Sequence, residues 1–259
     1  MGFKGQTVIV TGAGYGIGRA IALGFGRRGA NVVLAARSRD KLEAVAAELT
    51  ALGTKPLVVV TDVSSEPDVA AMARAALARY GGIDVLVNNA GIAGPTKLAR
   101  DIAPGEWQET LAINLSGAFY CATHVSGVMI ERKRGSIVNI SSVAGRIGYP
   151  LRTPYAASKW GMIGLSHSLA AELGPYGIRV NAVVPGPIQG ERIDQVIAAR
   201  AKAECKTIEE ARQWFVKDVP LRRMPTSEEV AEAVLFLASE AASAITGQAV
   251  NVCGGFRMQ

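Results

Sequence analysis

The chain has 259 residues, 49% of them hydrophobic, and its 28 Lys and Arg against 22 Asp and Glu leave a formal charge of +6. That is enough apolar material for one large domain, and the dispersal of the basic residues excludes a nucleic-acid-binding stripe. Cys121, Cys205 and Cys253 lie far apart, which excludes a disulfide framework and a zinc site.

A strand pattern begins at Thr7 and leaves no room for a signal peptide, and no run of about 18 apolar residues offers a membrane span. A cytoplasmic protein is therefore expected. Short apolar runs follow in order at Thr7 to Val10, Asn31 to Ala35, Pro56 to Val60, Val85 to Asn88, Ser136 to Ile140, Arg179 to Val184 and Ala249 to Val252. Between them lie helical windows at Gly16 to Arg28, Asp40 to Leu52, Pro67 to Tyr80, Glu106 to Glu131, Tyr155 to Leu173 and Ser227 to Ser239. Strands that alternate with helices imply a parallel sheet, because each parallel crossover needs a helix. Their near-continuous Val, Ile and Leu content suits a sheet buried on both faces. The expectation is α/β: one doubly wound domain spanning 1–259, with a seven-stranded parallel sheet. The rhythm breaks from Pro185 to Arg223, where a Pro/Gly turn leads into a charged helical stretch. In such folds this region lies outside the carboxyl ends of the strands, so 185–223 reads as a lid over a ligand.

After the first strand comes Thr11-Gly12-Ala13-Gly14-Tyr15-Gly16-Ile17-Gly18, which also opens the first helix. Glycines there let backbone N–H groups approach a pyrophosphate at a helix N-terminus. The spacing is TGxxxGxG rather than a literal GxGxxG, and it resembles the short-chain dehydrogenase/reductase family. Asp62-Val63, Asn88-Asn89-Ala90-Gly91, Asn114, Ser142, Tyr155-Ala-Ala-Ser-Lys159 and Pro185-Gly186 follow in that family's order. The resemblance spans nearly the whole chain and implies a single-domain Rossmann fold. It also implies a nicotinamide cofactor whose pyrophosphate lies on Gly12, Gly14, Tyr15, Gly16, Ile17 and Gly18. Asp62 and Val63 would contact the adenine, Asn89, Ala90 and Gly91 the adenosine side, and Pro185, Gly186 and Ile188 the nicotinamide. Ala36 stands where NAD-preferring members carry Asp, and Arg37 follows it, so the resemblance implies NADP(H), with NAD(H) as the alternative.

Hydride transfer at a carbon bearing oxygen needs a group that exchanges the oxygen's proton near neutral pH, and a lone tyrosine ionises near 10. Tyr155 and Lys159 are four apart on one helix face, so a fixed ammonium favours the phenolate. Ser142 ends a strand close enough upstream for its hydroxyl to hold the same substrate oxygen. By resemblance, Lys159 also bonds the nicotinamide ribose, and Asn114 holds a water that links Lys159 to solvent. His124 and His167 have no partners at ligand spacing, and no metal site is expected.

Two departures from the family pattern stand out: Gly190 where a Thr often contacts the carboxamide, with Gln189 or backbone as a substitute, and Cys253 where an Asp usually precedes two glycines. Arg146, Arg152 and Arg192 fall in segments that would surround the substrate, which motivates an anionic small molecule. Candidate substrates are 3-oxoacyl thioesters, sugars and other polyhydroxylated metabolites. The alternatives are an NAD-dependent sugar or polyol dehydrogenase of the same family and a cofactor-binding regulator or sensor. By resemblance, the long helices pair copies of the chain into a homodimer or homotetramer.

Overall fold

The structure is a computed structural model and describes residues 2–217 and 219–256. Strands β1 (Thr7–Thr11), β2 (Asn31–Ala36), β3 (Leu57–Val60), β4 (Val85–Asn88), β5 (Gly135–Ile140), β6 (Ile178–Pro185) and β7 (Ala249–Val252) form one sheet in the order β3-β2-β1-β4-β5-β6-β7. Every pairing is parallel. The order reverses between β1 and β4, and a crevice opens there outside the carboxyl ends of both strands.

Side chains alternate across the sheet. Val8 and Val10 of β1 face one core, shared with Ile21, Phe25 and Leu235 from α1 (Gly16–Gly26) and α9 (Ser227–Ala238). Ile9 faces the other, with Met72 from α3 (Glu66–Tyr80), Val125 and Met129. Strands buried on both faces need apolar residues at every position, which is why these runs lack the polar alternation of a half-exposed sheet. Helix α2 (Arg39–Ala51) completes the first layer with Leu42, Val45 and Leu49.

Two segments differ from the sequence expectation. The single helix from Glu106 to Glu131 is instead α4 (Pro104–Leu111), a π-helical turn (Ala112–Ser116) and α5 (Gly117–Arg132). The wide turn swings Asn114 inward, where its amide bonds the backbone of Ile92, a feature that hydrophobic periodicity does not encode. The stretch after Pro185 forms two helices, α7 (Glu191–Ala203) and α8 (Ile208–Val216), broken where Cys205 takes φ +51°. Thr207 caps α8: its hydroxyl accepts from Glu210 N at 3.2 Å, and the Glu210 carboxylate accepts from Thr207 N at 2.8 Å. The two helices carry a small core of Ile197, Ala201, Ala211 and Phe215, joined by Met224 from the segment after α8. Over it, the Arg200 guanidinium stacks 3.6 Å from the Trp214 ring centroid and pairs with Glu204 at 2.8 Å.

Candidate active site

The floor of the crevice is a clamped turn. The Thr11 hydroxyl accepts from Asn89 N and Ala90 N, both at 3.0 Å, and the Asn89 side-chain amide donates to Thr11 O at 2.9 Å and Gly12 O at 3.2 Å. The β1 and β4 ends are thereby locked at a separation with no room for a side chain. A Cβ on Gly12, whose φ is +65°, would sit 2.9 Å from Ala90 Cα, and one on Gly18 would sit 2.1 Å from the Gly12 carbonyl oxygen. Helix α1 then starts at Gly16 with no side-chain cap and no acid in its first turn, so its N–H groups are left for an anion. This bare, glycine-lined helix end fits a dinucleotide pyrophosphate.

The cleft above encloses about 680 Å³. Gly12, Tyr15, Gly16, Ile17, Gly18, Asn89, Ala90, Gly91, Pro185, Gly186 and Ile188 line one part of it, and Ser142, Arg152, Tyr155, Lys159 and Arg192 the other. Gly14, Arg37, Asp62 and Val63 lie beyond its walls. Gly14 packs on Lys41, and Val63 is buried against Gly117. Exposed Arg37 follows β2. The Ser64 hydroxyl, bonded to Asp62 at 2.6 Å, holds that carboxyl below its ordinary range against burial, helped by Ser64 N and then by Arg37.

Tyr155 and Lys159 stand on the first turns of α6 (Thr153–Leu173). Lys159 Nζ donates to Ile140 O at 2.8 Å and lies 5.7 Å from the Tyr155 ring centroid. The helix is fixed to the end of β5 by Ser141, whose hydroxyl donates to Lys159 O at 2.8 Å. Ser142 follows in extended conformation; its hydroxyl accepts from Ala144 N at 3.2 Å and lines the cleft with the Tyr155 phenol. Burial resists ionisation of that phenol, but Lys159, Arg192, Ser142 and Arg152 together outweigh it and hold Tyr155 below the usual tyrosine value. Burial also pulls Lys159 down to about 8, with Arg192 adding to the effect and Tyr155 opposing it. Asn114 is fully buried: its Oδ1 accepts from Ile92 N at 2.7 Å, and its Nδ2 donates to Ile92 O and Ser158 Oγ, both at 3.1 Å. Its side chain braces the loop after Gly91 and the helix carrying Lys159.

Of the three arginines expected around a substrate, Arg152 and Arg192 line the cleft and Arg146 does not. Arg146 Nη2 donates to Ala249 O at 2.5 Å, which turns the side chain to the start of β7 and corrects its assignment as a substrate contact. Gln189 lines the cleft, yet its side-chain amide donates to Met224 O at 2.8 Å. Cys253 lies against Gly186, where a Cβ would stand 2.9 Å from Cys253 Cα, so this departure concerns packing. Sequence reasoning missed Tyr149, which lines the cleft with its ring edge-on to Trp214 at 5.8 Å. Burial pushes its phenol up to about 12. The residue sits in an irregular stretch six positions before Tyr155, and its only signal was an aromatic among turn residues.

A cleft of this construction marks an NAD(P)-dependent oxidoreductase. The family described as enoyl-(acyl carrier protein) reductase matches residues 12–257. The chain is 38% identical to the 3-oxoacyl-(acyl-carrier-protein) reductase FabG of Staphylococcus aureus over 254 residues, 98% of each chain. Among solved structures it resembles a variant actinorhodin polyketide ketoreductase with NADPH (TM-score 0.92, 38% identity, 97% of each chain). It also resembles NAD+-bound xylitol dehydrogenase (TM-score 0.95, 33% identity, 98% of this chain and 99% of that one). The chain belongs to the short-chain dehydrogenase/reductase family. Among the described residues no group of His, Cys, Asp and Glu could hold a metal ion, and no helix is long and apolar enough to cross a membrane.

Proposed function

We propose that this protein interconverts a small ketone and its secondary alcohol with NADP(H), using Tyr155 as the proton donor and acceptor. The observation that carries the reading is that the Tyr155 phenol shares one cleft with Ser142, Lys159, Arg152 and Arg192 and with the glycine turn. A bound reduced nicotinamide supplies the hydride. Ser142 donates a hydrogen bond to the substrate oxygen, Tyr155 gives that oxygen its proton, and Lys159, an ammonium below about pH 8, stabilises the phenolate left behind. Asn114 holds the Gly91 loop and α6 in register through Ile92 and Ser158. Residues 185–223 act as the lid, with Arg192 and Ile193 of α7 facing the cleft.

Arg37 supports NADP(H), because a guanidinium just past β2 can pair with a ribose 2′-phosphate. The NADPH-bound ketoreductase neighbour agrees with this. A second reading, an NAD-dependent polyol dehydrogenase, draws on the xylitol dehydrogenase likeness and on the position of Arg37 outside the cleft wall. The exposed Trp107, Phe119 and Trp160 on α4, α5 and α6 support pairing of these helices in a homo-oligomer. The test is absorbance at 340 nm with NADPH and NADH offered separately against ketones, acyl thioesters and sugars. Turnover should favour NADPH and fall by about 10³ to 10⁴ in Tyr155→Phe; an unaffected variant would remove Tyr155 from the mechanism, and a preference for NADH would favour the second reading.

A further inference from the structure

Arg152 is 4% exposed and lines the cleft. Its Nη2 donates to Ala93 O at 2.6 Å, but its Nε is buried with no hydrogen-bond partner, and no carboxylate lies within ion-pair distance among the described residues. Arg192, on the second residue of α7, also lines the cleft and likewise has no ion pair among the described residues. Each acts electrostatically on Tyr155, and Arg192 acts on Lys159 and Arg152 as well, so three cations converge on one space.

The acids that line the same cleft do not balance them. Glu191 accepts from Gln195 at 3.1 Å, and the charge of Glu228 is felt at Arg19, on the glycine-turn side. A buried cation without a counter-charge is costly, so the buried Arg152, with the exposed Arg192 beside it, forms a place that an anion completes. The pyrophosphate does not fill that role, since its cradle is the glycine turn and the start of α1, whereas Arg152 Cζ lies 4.8 Å from the Tyr155 ring centroid. Tyr149, 6.0 Å from the same guanidinium, adds a phenol at the wall.

Building on the oxidoreductase reading, we propose that the substrate is a short oxo acid or hydroxy acid whose carboxylate lies between Arg152 and Arg192, a few bonds from the carbon that exchanges hydride. The guanidinium of Arg152, the residue just before α6, is fixed by Ala93; that of Arg192 comes with α7, so the two close on the acid from different elements. A neutral ketone of equal size leaves both arginines without a counter-charge and is a poor substrate.

The test pairs short 3-oxo acids with their methyl esters under NADPH oxidation. The wild type should favour the acid in kcat/KM by at least roughly tenfold, and Arg152→Gln and Arg192→Gln should each raise KM for the acid by roughly 30-fold or more. Because both arginines also act on Tyr155, kcat should fall alike for acid and ester, while the KM rise is confined to the acid, Kd for NADPH stays unchanged, and Arg152→Lys recovers part of the KM loss. Equal use of acid and ester by the wild type would overturn the proposal, as would an equal rise in KM for both substrates. A rise in Kd for NADPH instead would assign them to the cofactor. If no ketone in the panel turns over, the oxidoreductase reading fails separately, and titration of the NADPH complex with butyrate and butyramide still decides the anion site. Butyrate should quench or enhance nicotinamide fluorescence in the wild type and not in Arg152→Gln; no response to butyrate overturns the proposal.

Discussion

The two parts of the cleft are built from different materials. The part on β1, β4 and α1 is backbone: bare glycines, a helix end without a cap, and a turn clamped by Thr11 and Asn89. The part on the segment from Ser142 to Arg152, α6 and α7 is side chain: two phenols, a hydroxyl and three long cations, held by packing and single hydrogen bonds. Backbone can recognise what every dinucleotide shares, whereas only side chains can choose among substrates. Damage to the first should therefore cost binding of cofactor and fold together, and damage to the second should cost chemistry or selectivity while the fold stands.

The sharpest break in this contrast is expected at Gly18. In Gly18→Ala the new Cβ meets the Gly12 carbonyl oxygen at 2.1 Å, a backbone atom that cannot step aside. We expect a loss of about 3 kcal/mol in stability, read by urea denaturation, together with a loss of NADPH binding, read by fluorescence titration. If NADPH bound normally to the variant, the turn would be less rigid than its clamps imply.

Lys159→Met breaks the other part without touching the turn. Oxidation of the alcohol needs the Tyr155 phenolate, so its rate rises with pH through the phenol's pKa, while reduction needs the phenol and falls above it. Burial raises that pKa, and Lys159, Arg192, Ser142 and Arg152 lower it. Removing Lys159 takes away the largest of the favourable influences, so the rising limb of kcat for oxidation should move to higher pH and the rate at neutral pH should drop by roughly 10². A profile that keeps its midpoint would mean that Lys159 does not act through the phenol.

The same contrast explains what could be read from the sequence. Glycine spacing, strand continuity and the Tyr155–Lys159 interval are local, and local constraints survive in one dimension; hence the seven strands and the glycine turn were legible, whereas the strand order that sets the reversal between β1 and β4 was not. The π turn at Ala112–Ser116 was not, because it depends on Asn114 meeting Ile92, a contact across 22 positions that periodicity cannot carry. Tyr149 was invisible for a related reason: it is a cleft residue only because Trp214, 65 positions later, is packed against it. Trp214→Ala tests this dependence. Loss of a ring shared by Tyr149, Phe215, Phe256 and Arg200 should loosen α7 and α8 and raise substrate KM severalfold, with Kd for NADPH unchanged.

The smallest expected effect is also informative, because it separates neighbours in sequence from neighbours in function. Arg146 and Arg152 are six apart, both follow β5, and both carry a buried Nε without a partner. Their guanidinium groups nevertheless end in different places: Arg152 at Ala93 beside Tyr155, Arg146 at Ala249 at the start of β7. The loop between them turns through Tyr149 and reaches Leu151 at φ +65°, so sequence proximity is not preserved as direction. Arg146→Ala should leave kcat and KM for acid and ester alike at wild-type values. It should lower stability by about 1.5 to 3 kcal/mol, the worth of a hydrogen bond from a charged group, and so lower Tm by several degrees. A change in acid selectivity in this variant would return Arg146 to the substrate wall and give the side-chain part of the cleft a third arginine.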